Sequence, residues 1–95
     1  MEARSIAESV GRLAKEMRSF AARAVAEYEP VVALILLSRS KDPRRIEAAL
    51  DGLLDFCWDS EALMLFHKLC RYYYAVDPQA ASGFVHRYRD MWGLG

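Results

Sequence analysis

The sequence predicts an all-α fold, a compact antiparallel bundle of four main helices plus one short apolar helix. Three observations carry that reading. Apolar residues recur three and four positions apart along most of the chain. Two Asp-Pro pairs and one Glu-Pro pair divide the pattern at intervals suited to short helices. No stretch alternates apolar and polar residues with period two for long enough to make a strand.

The first helix is set by Ile6, Val10, Leu13, Met17, Phe20 and Ala24, whose spacings are 4, 3, 4, 3 and 4. That is the a/d seam of a heptad pattern, with apolar side chains on one stripe. Glu29-Pro30 is expected to end it, because a residue before proline is pushed out of the helical region. Pro30 then opens a short second helix through Leu37, apolar nearly all round and so interior. Ser38 to Asp42 reads as a polar turn.

Asp42-Pro43 starts the third helix with an N-cap and a proline in the first helical position. Its stripe is Ile46, Ala49, Leu50, Leu53, Leu54 and Cys57. Asp59 or Ser60 caps the fourth helix, which runs to about Ala75. Its polar strip is only Glu61, Lys68 and Arg71, so it is expected at the centre of the bundle or against a second chain. Asp77-Pro78 starts the fifth, with Phe84, Val85, Tyr88, Met91 and Trp92 on its stripe and Gly93 ending it. Short connectors make the last three helices antiparallel neighbours.

Composition bounds the rest. The chain has 95 residues, enough for a single domain spanning 1–95. Thirteen basic residues balance thirteen acidic ones, and 54% of residues are hydrophobic. Disorder needs the opposite balance, and a histone-like nucleic-acid binder needs a strong positive excess. The longest apolar run, Val31 to Leu37, has seven residues where a membrane span needs about 20. The N-terminus lacks the pattern of a signal peptide. Cys57 and Cys70, offset by about 12 Å along antiparallel helices, are too far apart for a disulfide. They read as buried free thiols, which places the chain in the cytoplasm.

Chemistry is sparse. His67 and Cys70 are three apart on one helix and supply two metal ligands where a closed zinc site wants four. Cys57 lies too far off and His86 is expected on the wet side of the fifth helix, so neither metal nor cofactor is expected. As a catalytic pair, His67 and Cys70 lack an oxyanion pocket, although Asp51 is placed to orient the histidine in a simple hairpin. His86 and Asp90 form a solvated i,i+4 pair, and Asp51 with Asp55 an acidic strip. No phosphate-binding glycine loop is present. The expectation is that the chain is not an enzyme.

Two surfaces remain. Arg4, Arg12, Lys15, Arg18 and Arg23 line the outside of the first helix, and Arg39, Lys41, Arg44 and Arg45 cluster at the start of the third. That second cluster is the candidate nucleic-acid contact, opposed by Asp51 and Asp55 farther along the same helix. Eleven aromatics and four methionines, a surplus for so small an interior, point instead to protein association. The expected function is a non-enzymatic interaction module, a self-associating accessory subunit or one bound to a partner protein. Its anchors are Tyr72, Tyr74 and Trp92, with Arg71 and Arg87 at the rim. The seam of the first helix is expected to pack on the later helices, with pairing to another copy as the alternative.

Overall fold

The computed structural model describes the backbone of residues 2–93 and the side chains of residues 5–93; Arg4 falls outside the described side chains. Four helices follow one another: α1 (Glu2–Ser38), α2 (Pro43–Leu54), α3 (Ser60–Val76) and α4 (Pro78–Trp92). There is no strand among the described residues, and the fold is all-α.

Three aspartates begin the last three helices. Asp42 accepts from the Arg44 N–H at 3.0 Å, and Asp59 from the N–H groups of Glu61 and Ala62 at 3.1 Å each. Asp77 closes α3 by donating its N–H to the Tyr73 carbonyl, then caps α4 by accepting from the Ala80 N–H. These carboxylates satisfy amide donors that a helix start otherwise leaves unpaired. One residue therefore serves as the whole α3–α4 connection, which forces the two helices into an antiparallel hairpin.

The expected break at Glu29-Pro30 does not occur. The first and the short apolar helix are one element of 37 residues, with Pro30 inside it. Packing explains the continuity: Val32 and Ile35 are fully buried, and an unbroken helix keeps them on the face that already buries Ala21, Ala24 and Val25. Burial of those side chains outweighs the lost backbone hydrogen bond at proline. α1 ends at Arg39, whose φ of 52° is left-handed. Its N–H reaches the Leu36 carbonyl and that of Ser40 the Ile35 carbonyl, the two bonds of a Schellman ending usually made by glycine.

α3 is the centre, in contact with α1, α2 and α4. Its buried face is Ala62, Phe66, Leu69, Cys70 and Tyr73, meeting Ile46, Ala49, Leu50, Leu53 and Leu54 of α2. The Tyr73 hydroxyl, in an otherwise apolar interior, donates to the Glu47 carboxylate. Phe66 packs on Tyr88 of α4 with ring centroids 5.9 Å apart. Where α1 crosses α2, Gly52 makes room for Tyr28: a Cβ at Gly52 would lie 1.9 Å from the tyrosine oxygen. α2 ends earlier than its stripe suggests, and residues 55–59 turn through tight i to i−3 hydrogen bonds such as Phe56 to Leu53.

Candidate interaction surface

The seam of the first helix does not pack on the later ones. Of its six residues only Ala24 is buried; Ile6, Val10, Leu13, Met17 and Phe20 are between 42% and 64% exposed. The bundle covers α1 only from Ala21 onward. Its buried positions there, Ala21, Ala24, Val32 and Ile35, continue the same stripe. Between Ile6 and Ile35 the 29 steps rotate through eight full turns and only about 20° more. One apolar stripe thus runs the length of α1, half covered and half bare.

The bare half leads into a groove. Phe56 and Trp58, on the α2–α3 turn, stand 6.4 Å apart beside the middle of α1. With Phe20, Ala24 and Tyr28 they line an open depression of about 510 Å³ whose rim carries Arg23 and Glu27. Phe56 and Trp58 stand outside the helical spacing that marks the other apolar residues. Their signal was two aromatics flanking Cys57 just where the helical pattern fades, but the direction of the turn decides where they point.

The anchors expected on the last two helices are dispersed. The Tyr72 hydroxyl donates to the Ser40 carbonyl at 2.7 Å, tying α3 to the turn after α1. The Trp92 indole N–H donates to the Leu54 carbonyl at 2.7 Å, tying the end of α4 to the end of α2. Arg87 pairs with Asp51 at 2.8 Å and lies 5.1 Å from the Phe84 ring centroid. That pairing takes Asp51, so it does not orient His67. Arg71 and Tyr74 do come together, on a groove between α3 and α4 that also holds His67, Cys70, Ser82 and His86.

The groove beside Cys70 has little chemistry to offer. Burial pushes the Cys70 thiol up to about 11 and that of Cys57 to about 12. For Cys57 the negative charges of Cys70 and Asp55 add to the effect. Both thiols are free and buried, so neither is a ready nucleophile at neutral pH. No group of three metal-ligating side chains converges among the described residues. Arg39, Lys41, Arg44 and Arg45 are all exposed around the α1–α2 turn. None is ion-paired, since Arg87–Asp51 is the one salt bridge among the described residues. No helix is long and apolar enough to cross a membrane among those residues.

In comparison with known proteins, the chain matches no family, no curated sequence and no solved structure. Its chemistry is therefore read from its own residues.

Proposed function

We propose that this chain is a non-enzymatic protein–protein interaction module that self-associates through the bare half of α1. The observation that carries the reading is the seam Ile6, Val10, Leu13, Met17 and Phe20, all open to water on one helical face. Half-exposed, five such side chains offer about 500 Å² of contiguous apolar surface, the size that marks functional patches on soluble domains. A free helical segment of this length is marginal in water, so a covering surface stabilises it as well as hiding it. The groove at Phe56 and Trp58 extends that surface onto the body of the bundle. Tyr74, 59% exposed beside Arg71, is a second apolar edge but a smaller one.

A second reading, nucleic-acid contact at Arg39, Lys41, Arg44 and Arg45, is favoured by the four exposed cations making no salt bridge among the described residues, with Asp42 the one acid inside the cluster. The balanced net charge weighs against it. The test is the mass in solution by light scattering at low and high salt, for the native chain and for Leu13→Asp. A salt-insensitive dimer or larger assembly, reduced to monomer by Leu13→Asp with its helical spectrum intact, supports the module. A monomer throughout overturns self-association. Retention of added single-stranded nucleic acid that falls steeply with salt moves the assignment to the basic cluster.

A further inference from the structure

We infer that the occupant of the bare seam is a second copy of this chain, paired antiparallel so that Glu16 of each copy meets Arg23 of the other. The inference rests on the self-association proposed above and specifies its geometry.

The two flanks of the seam differ. On one side stand Ala7, Ala14 and Ala21, at heptad spacing; on the other stand Ser9, Glu16 and Arg23, also at heptad spacing. In a parallel pair each flank faces the opposite flank of its neighbour, so Glu16 would meet alanine and no charges would attract. In an antiparallel pair, like flanks face each other. The register that sets Met17 beside Phe20 of the second copy brings Glu16 opposite Arg23, twice, by two-fold symmetry.

In that register Ile6 of one copy falls on Val31 of the other, which is 36% exposed, Val10 falls beside the exposed Glu27, and Leu13 lies over Ala24, a small side chain that its own bundle already covers. The free half of each α1 then lies along the groove formed by Phe20, Ala24, Tyr28, Phe56 and Trp58. Its alanine flank turns toward the groove's aromatic wall, where only small side chains leave a helix room to approach. A parallel pair meets an obstacle besides the missing charges. From Ala21 onward each stripe carries its own α2 and α3, and the two bundles would compete for one end of the helix pair. Antiparallel pairing puts them at opposite ends. Two faces of about 500 Å² bury about 1,000 Å² together, and the groove wall adds to it, which reaches the lower bound of a specific interface.

The experiment is a charge exchange read as the dimer Kd by sedimentation equilibrium, with circular dichroism to confirm that each variant is folded. Glu16 and Arg23 are both solvent-exposed, so neither change disturbs the core. Glu16→Arg alone and Arg23→Glu alone each convert two attractions into two repulsions and are expected to raise the Kd about tenfold. The double variant E16R/R23E is expected to return to within about threefold of the native value. Recovery in the double variant supports the register. If Leu13→Asp disrupts the dimer while the charge variants do not alter it, the seam is the interface but this register is wrong. If the native chain is monomeric at every concentration, the second copy is not the occupant, and the self-association reading falls with it.

Discussion

Cys57 sits in the turn between α2 and α3, buried, with its thiol donating to the Leu53 carbonyl at 3.4 Å. An unfolded chain ionises this thiol near its ordinary value of 9.0, whereas in the fold it holds its proton up to about 12. Between those values the folded state binds more protons than the unfolded one, so stability falls as pH rises. Well below pH 9 both states are protonated and the thiol contributes no slope. The expected outcome is a urea midpoint that is flat from about pH 7 to 8.5 and declines toward pH 10.5. Cys57→Ser, whose hydroxyl can keep the bond to Leu53, makes that decline shallower without abolishing it. Cys70 and Tyr73 are raised for the same reason and continue to titrate. An identical alkaline slope in native and variant chains would mean the thiol is not held in its neutral form. At this scale much was legible in the sequence. Asp42, Asp59 and Asp77 act as caps because capping is decided within three residues, and the stripe from Ile46 to Cys57 is buried as its spacing requires. Gly52 was not legible as a contact point, since its value depends on Tyr28 arriving from another helix.

Among the elements, α1 departs furthest from expectation, and Pro30 is the reason. Local chemistry says that proline stops a helix or starts one, and at the level of the isolated segment that holds. The chain keeps its helix because Val32 and Ile35 reach full burial only when residues 31–38 stay in phase with Ala21 to Val25. Tertiary packing outweighs the local rule, and no inspection of residues 26–34 alone reveals it. A consequence follows for stability. Pro30 is exposed and leaves the preceding turn without one hydrogen bond. Pro30→Ala restores that bond and removes the ring's clash with the carbonyl four residues back. It is expected to stabilise the chain by about 2 kcal/mol, seen as a higher urea midpoint with an unchanged denaturant slope. A variant no more stable than the native chain would show that the bundle needs a bend at this point. The seam itself was legible, but its exposure was not. The same three-and-four spacing serves a helix packed on its own chain and one awaiting another chain, and only the positions of α2 and α3 separate the two.

At the scale of the whole molecule the shape follows from that asymmetry. The longest dimension is 56 Å, which α1 alone accounts for at 37 residues and about 1.5 Å per residue. The radius of gyration is 16.0 Å, against about 12–13 Å for a compact chain of this size. The bundle proper is thus built from residues 21 onward, and Ile6 to Phe20 project from it as a rod about 22 Å long. Of those residues Met17 and Phe20 reach the groove at Phe56 and Trp58 but none is buried, so removing the residues before Phe20 costs the bundle little. A variant beginning at Phe20 should unfold within about 1 kcal/mol of the native chain when both are measured at high dilution, because the core contacts are untouched. The difference lies in how each responds to concentration. Association that favours the folded state raises the Tm of the native chain as protein is added, while the shortened chain, lacking the seam, keeps one Tm at every concentration. Differential scanning calorimetry over a hundredfold range of concentration reads both quantities. A shortened chain that loses its cooperative transition at high dilution would mean that the rod supports the bundle from within. A concentration-dependent Tm that survives shortening would place the contact on the bundle instead, where Leu37, Met64 and Tyr74 are among the exposed apolar side chains.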